Sequence, residues 1–499
     1  MKSIQQHLKA NWYYYLLGLL MYMPIFGHLN SLPLRYWDEL RLAISAWEML
    51  EHGQYLVPHY FGEPDLWNTK PPLMVWAQVF FMKTIGVNEM AVRLPSAISA
   101  FLTCVAILVF SKKYIKSRSL GIIAVLVLIT SLGYISEHGT RTGDYDAMLC
   151  LFSGLGLLLM FSFFESQRLL FYYLGFLAFA LAVLTKGIAG LFFGPVILIY
   201  ALINKKLIGL LKNPHTYISF LGMAVLVLGY YFGREALNPG YLEMVSFNEL
   251  GGRFEENLGS KKFGYWYHLE GFKNYRFAPW LLLALLALPL AYYSKDDKLR
   301  KLTTLSTLAV LVHFFVISSS ATKQPWYDLP MYPFLAMLAS IPLWILYSAL
   351  QKVNLYSFAL SGKIIAFLLL VVVFRAPYQE VWDATYKPSE PPWNYETMGS
   401  EHFLFNVLYG KDNLDKAKVL HLGNNDHLRF YKKVLAQKGI EVELIEPENL
   451  QSGDVIVTCQ AEIQSLLNEN YRLELLNDSS VYRKYRILSA NRKSPIDHR

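Results

Sequence analysis

Apolar runs of near-membrane length recur along this chain, and no other feature restricts its fold as strongly. They lie near 12–31, 91–110, 119–136, 146–164, 169–185, 187–203, 215–233, 278–293, 302–320, 327–350 and 356–376. A bilayer core takes roughly 20 apolar residues per helix and tolerates no unpaired backbone groups, so each run predicts a helical span. Of 499 residues 54% are hydrophobic and 17% charged, where a soluble globular chain carries about 25% charged residues. The fold class expected is a polytopic α-helical membrane protein of about 11 to 13 spans. The stretch PPLMVWAQVFFMKTIG at 71–86 opens on two prolines and contains Gln78 and Lys83, and it predicts an interfacial or packed helix.

The net charge of +8 does not indicate a nucleic-acid partner, because no basic stripe with interleaved aromatics accompanies it. Lysines and arginines fall in short loops, at Lys112, Lys113, Lys116 and Arg118, at Lys205, Lys206 and Lys212, at Lys295, Lys298, Arg300 and Lys301, and at Lys352. The positive-inside rule places these loops on the same side as Lys2 and Lys9, giving a cytoplasmic N-terminus and an outer C-terminus. Lys2 and Lys9 precede the apolar run from Trp12 with no small-residue cleavage site, which reads as an uncleaved first span. Segments 32–90, 137–145, 234–277 and 321–326, with the turn at Lys186, then face outward. The larger two are expected to form amphipathic helices along the membrane face.

From 377 the composition changes. KPSEPPW is a proline-rich junction; KVLHLG, IEVELI and DVIVTC read as strands, and NDHLRFYKKVLAQKG as a helix ending at Gly439. The expected organisation is a transmembrane domain over 1–376, then a periplasmic junction and small α/β domain over 377–499. Gly423 follows a strand, but without GxGxxG no nucleotide site is implied. Cys104, Cys150 and Cys459 give no disulfide framework. No His or Cys spacing makes a metal site; His52 and His59 read as surface residues, and divalent-metal dependence is left open.

Acids and cations nevertheless gather in the outer segments. YWDELR carries Asp38 and Glu39, with Arg41 on the same helical face as Asp38. Lys70 stands in WNTKPPL and Lys186 in LTKG, while HGTRTGDYDAML supplies Arg141, Asp144 and Asp146. FNELGGRFEENLG adds Glu249 and Arg253, and SSSATKQPWYDLPMYP adds Lys323, Tyr327 and Asp328. Each alone suits a membrane boundary, by snorkelling or ion pairing. Together they suit a pocket binding a lipid phosphate beside a carboxylate base. Trp37, Trp67, Trp266 and Tyr267 suit interfacial anchoring more than sugar stacking.

The Asp-Glu pair after the first span, with EMLEHGQYLVPHYFGEPDLWNTKPPLMVWA, GVNEMAVRLPSAISA, LAVLTKG and TKQPWYDLPMYPFLAML in that order, resembles the GT-C membrane glycosyltransferases. The nearest branch is the lipid A aminoarabinose transferase-like group, related to the protein O-mannosyltransferases, and the resemblance covers roughly residues 10–350. It implies sugar transfer from a polyprenyl-phosphate carrier, such as undecaprenyl phosphate, to a lipid, glycan or protein acceptor at the periplasmic face of a bacterial inner membrane. It also implies a catalytic or acceptor-orienting role for Asp38, with Asp146 as a second acidic position. Arg41, Lys70, Lys186 and Arg253 match positions for the carrier phosphate; Glu39, Arg141, Asp144, Lys323 and Tyr327 are further substrate-binding candidates. One departure stands out: the aminoarabinose transferases usually carry Glu before the motif lysine, whereas Thr69 precedes Lys70 here.

The chemistry is coherent without the family. Breaking a sugar–phosphate bond leaves an anionic lipid phosphate, which positioned cations stabilise as charge develops. An acceptor hydroxyl must lose its proton, and a carboxylate can take it. The resemblance favours inversion at the anomeric carbon, although the residues alone do not distinguish one displacement from two. No cofactor is firmly implied. A transporter or flippase of an anionic lipid is the alternative; it should carry midplane charges and repeated, interrupted helices, and no such repeat is present. A noncatalytic scaffold would leave the outer-loop charges unexplained.

Overall fold

The computed structural model describes residues 2–35, 38–252, 262–352, 354–355, 360–386, 392–421, 426–459, 461–479 and 481–490. Trp37, Arg253, Gly423 and most of the KPSEPPW junction lie outside the described residues. Two compact units are present, one of residues 1–29, 45–84 and 91–387, the other of residues 30–44, 85–90 and 388–499.

The first unit is helical. Among the described residues, seven helices are long and apolar enough to cross a bilayer: Glu89–Ile115, Asp146–Ser166, Leu169–Leu191, Pro214–Leu237, Asp297–Ser319, Pro325–Leu350 and Gly362–Thr385. Tyr267–Arg276 and Ala278–Tyr293, bent by 114° at their junction, give an eighth if counted as one span. Among the described residues, length and composition thus support seven or eight spans, and the 11 to 13 expected are not confirmed. The runs at 119–136 and 187–203 account for part of the difference, because they form helices of only 12 and 10 residues, Arg118–Ile129 and Gly194–Ile203. At 1.5 Å per residue these reach roughly 18 and 15 Å, short of the bilayer core. The first stops where Thr130 and Ser131 turn their hydroxyls onto the carbonyls of Leu126 and Val127, both at 2.6 Å, a competition that disfavours further helix.

Residues 71–86 form the expected packed helix, Leu73–Ile85, with Met74, Val75, Gln78, Val79 and Met82 buried. Gln78 is accommodated by donating to the carbonyls of Val92 (3.2 Å) and Gly143 (2.9 Å). Helix Asp146–Ser166 fixes the polarity of this unit. Its 21 residues rise about 31 Å. At one end Asp146 meets Lys186; at the other Glu165 accepts from Lys206 at 3.3 Å and Lys301 at 2.9 Å. The basic turns and the Lys186 turn thus lie at opposite ends of a helix as long as the bilayer core is thick.

A buried ion pair ties the later helices together. Arg276 donates from Nε and Nη2 to the two carboxylate oxygens of Asp328, at 3.0 and 2.7 Å. This bidentate geometry compensates the desolvation of both charges. Asp328 is thus the counter-ion of Arg276.

Helix Gly362–Tyr386 runs past residue 376 with Pro377 inside it. In the second unit, strand Lys418–Leu420 lies parallel to Leu444–Ile445 on one side and Val455–Thr458 on the other. Arg483–Ala490 continues the sheet antiparallel to Val455–Thr458 and pairs at its far edge with Tyr471–Asp478. The expected helix is Asp426–Gln437, and Gly439 has the positive φ of 76° that lets the chain turn away. Leu420, Ile445, Ile456, Ile463, Leu467 and Ile487 form its core.

Candidate active site

Asp146 opens one helix of the first unit and Lys186 closes the next, Leu169–Lys186. A tight helical hairpin brings these two ends level, and each charge suits the dipole of its own helix end. Lys186 Nζ donates to Asp146 Oδ1 at 2.5 Å, with side-chain exposures of 11% and 4%. Gly187 follows with φ +58°, a value L side chains rarely adopt. A Cβ at Gly187 would also lie 3.5 Å from Glu249 Oε2, so the turn after Lys186 passes close to that acid.

Glu249 is the partner of the second lysine. Its Oε1 accepts from Lys70 Nζ at 3.3 Å and from Thr69 Oγ1 at 2.8 Å. Tyr241 secures the same segment by donating to the Thr69 carbonyl at 2.8 Å. Thr69 and Lys70 thus take their carboxylate from a residue 179 to 180 positions away in sequence.

Lys70, Asp146, Lys186, Glu249 and Tyr327 line one cavity of about 110 Å3, with Ser320 and His313. Its apolar wall is Leu149, Ile188, Ala189, Phe192, Val316 and Ile317. Lys186 Nζ lies 5.3 Å above the Tyr327 ring and Lys70 Nζ 5.7 Å above that of Tyr145, distances suited to cation–π attraction. His313 Nε2 lies 2.9 Å from the Tyr327 carbonyl oxygen and secures that turn. Two lysines, each held by one carboxylate beside an apolar wall, make a preorganised receptor for an anion with a hydrophobic tail.

The other candidates have different surroundings. Arg141 donates to the carbonyls of Pro24 at 3.1 Å and Gly27 at 2.6 Å, capping the end of helix Lys2–Phe26. Lys323 donates to the Ser320 carbonyl at 2.5 Å, one residue back from the cavity wall. Asp146, expected among the catalytic acids, is the counter-ion of Lys186. In the second unit Asp38 is the exposed first residue of helix Asp38–His52, Arg41 is half-buried, and the buried Glu39 accepts from the Arg35 amide at 2.7 Å. Trp67 and Trp266 are exposed, at 56% and 57%.

Asp144 sits in the loop before Asp146, 3.3 Å from His138 Nδ1, and accepts a hydrogen bond from Thr142. His138 stacks on Trp326 with ring centroids 3.6 Å apart. Burial pushes the Asp144 carboxyl up, but His138 and the Thr142 hydroxyl outweigh it and hold the group below its ordinary value of 3.8. A depressed carboxyl stabilises the fold above its unfolded pKa and loses that contribution as pH falls through the folded value. Asp144→Asn should therefore lower the thermal midpoint in detergent at about pH 5, and the difference should shrink as pH falls through the depressed folded value. A difference that grows on acidification would refute this.

Glu249 stands out in the sequence without its partner, whereas Arg234 and Arg276 do not stand out at all. Arg234 is fully buried, donating to the Asp65 carbonyl at 2.8 Å, with its guanidinium 4.0 Å above the Tyr241 ring. No local pattern marks these residues; the Asp65 carbonyl and the Asp328 carboxylate they bind lie 169 and 52 residues away.

Residues 69–231 match the family described as dolichyl-phosphate-mannose-protein mannosyltransferase. An undecaprenyl phosphate-alpha-4-amino-4-deoxy-L-arabinose arabinosyl transferase of Aeromonas salmonicida is 26% identical over 317 residues, 62% of this chain and 56% of that protein. An uncharacterized protein of Aquifex aeolicus is 27% identical over 310 residues, 61% of this chain and 58% of its own length. The matches thus span less than two thirds of these relatives. In structure the chain resembles ArnT from Cupriavidus metallidurans bound to undecaprenyl phosphate, with a TM-score of 0.69 and 16% identity, covering 95% of this chain and 98% of that one. The Archaeoglobus fulgidus oligosaccharyltransferase in its apo form follows at a TM-score of 0.53 and 11% identity, covering 98% and 76%. The chain is a membrane protein with the GT-C fold, related in sequence to the aminoarabinose transferases.

Proposed function

We propose that this GT-C chain transfers a sugar from a polyprenyl-phosphate carrier, of the undecaprenyl-phosphate type, to a lipid, glycan or protein acceptor. The observation that carries the reading is the cavity holding Lys70 and Lys186 against an apolar wall. The carrier phosphate binds between these lysines while its polyprenyl chain stays among apolar side chains. By their match to the family's positions, Arg41 and Arg253 are further candidates for binding a carrier phosphate. Glu249 and Asp146 hold the lysines in place by hydrogen bonds, and Tyr327 closes the Lys186 side.

In the reaction an acceptor hydroxyl oxygen attacks the anomeric carbon as the sugar–phosphate bond breaks. The bonding pair leaves with the polyprenyl phosphate, and Asp38 takes the hydroxyl proton. A single displacement inverts the anomeric centre. The lysines act where charge grows on the leaving phosphate, which lowers the barrier more than it tightens ground-state binding. The N-terminus lies in the cytoplasm of a bacterial cell, and the acceptor and C-terminal domain lie at the periplasmic face.

A transporter or flippase is disfavoured by the placement of the charges. Lys186 and Asp146 stand at helix ends, whereas transport sites occupy the midplane between broken helices. The test is incubation of the purified protein with labelled undecaprenyl-phosphate sugars and a membrane-lipid extract. Label should move to an acceptor with release of undecaprenyl phosphate. Folded protein that transfers no label but moves carrier lipid between leaflets of a vesicle would overturn the reading in favour of transport.

A further inference from the structure

The second unit is more than the C-terminal α/β domain, because residues 30–44 and 85–90 belong to it. Glu89 explains why. Its side chain is fully buried, and its two oxygens accept from Tyr431, on one helix of the domain, and from Tyr409, in the turn just past the end of another, Pro392–Leu408. The Tyr431 hydroxyl donates to Oε1 at 2.9 Å and the Tyr409 hydroxyl to Oε2 at 2.5 Å. Tyr431 lies on helix Asp426–Gln437 and is itself fully buried against Phe405 and Phe430.

The Tyr431 oxygen has a second task, accepting the backbone N–H of Leu34 at 2.8 Å. One residue later the Arg35 amide donates to Glu39 Oε2 at 2.7 Å, and the Leu40 amide donates to the Arg35 carbonyl at 3.1 Å. The segment carrying Asp38 is therefore held from both sides, by its own Glu39 and by a phenol 397 residues away. The buried carboxylate polarises the phenol that binds Leu34, so the two bonds reinforce each other.

We propose that the C-terminal domain is a positioning device for the Asp38 segment, with Tyr431 as the positioning residue and Glu89 as its anchor. The inference rests on the reading of Asp38 as the proton acceptor. Misplacing a reacting group by about 1 Å can cost about 10²-fold in rate. Without Tyr431 the peptide at Leu34 loses its partner, while Lys70 and Lys186 keep theirs in the other unit.

The test compares Tyr431→Phe with Tyr409→Phe in the full-length protein, using the folded fraction recovered by size exclusion. Tyr431→Phe should lower kcat for sugar transfer about 10- to 100-fold, with undecaprenyl phosphate affinity unchanged. It should also speed hydrogen exchange in a peptide covering residues 34–40. Tyr409→Phe, which touches Glu89 but not Leu34, should leave kcat within about 3-fold and exchange at 34–40 unaltered. A merely structural role predicts a lower yield of folded protein for both variants with wild-type kcat per folded molecule; that result overturns the proposal, as would equal losses of kcat in both. Exchange needs no turnover, so inactive wild type with accelerated exchange in Tyr431→Phe would mean that the clamp exists and the glycosyltransferase reading has failed. Unchanged exchange would mean that the clamp itself is wrong.

Discussion

Asp38→Asn should lower kcat for sugar transfer by about 10² to 10⁴-fold, the range a positioned general base supplies. The protein should remain folded and keep its affinity for undecaprenyl phosphate. Asp38 is exposed and opens the helix Asp38–His52, so losing its charge removes about 0.3–1 kcal/mol of favourable dipole interaction. Asparagine also retains the ability to cap a helix start. The measurement is single-turnover transfer of labelled sugar beside carrier-lipid binding. Normal turnover would remove Asp38 from the mechanism. Loss of binding together with turnover would make it a donor-site residue. A phosphate acceptor, already ionised, would also reduce the penalty, so a small effect with a phosphorylated acceptor and a large one with a neutral alcohol would identify the acceptor class.

Lys186→Met should act on both stability and rate. The Asp146 side chain is 4% exposed and takes its salt bridge from Lys186, and removing one member of a buried pair costs about 3–5 kcal/mol. Removing a donor that meets developing charge costs about 10² to 10³-fold in kcat. The double variant Lys186→Met with Asp146→Asn separates the two effects. It removes both charges, so the thermal midpoint should return most of the way to wild type while transfer stays low. If transfer recovered along with stability, Lys186 would be a structural lysine, and the donor phosphate would have to rely on Lys70 and the arginines.

Lys70 shows how a motif can be incomplete in sequence and complete in space. With Thr69 before it, the motif lacks its usual acid, and the lysine reads as isolated. Thr69 and Lys70 share Glu249 Oε1 instead. Asp146 is similar, since the sequence shows an acid just before an apolar run and only the fold shows Lys186 as its counter-ion.

Hydropathy by itself determined that this chain is a polytopic helical membrane protein, because an apolar helix in lipid satisfies its backbone locally and so leaves a local pattern. The long runs at 91–110, 146–164, 215–233 and 302–320 became long helices for that reason. Short strands and the helix before Gly439 were legible in the C-terminal domain on the same local grounds. Tertiary structure decided where the apolar runs break, as at the 114° bend before Ala278, since packing rather than hydropathy sets such turns. It alone decided the partners of the charges. Lys70 with Glu249, Arg276 with Asp328, and Glu89 with Tyr431 are 179, 52 and 342 residues apart. A buried charge needs a partner wherever the fold can bring one, and that requirement leaves no periodicity in the chain.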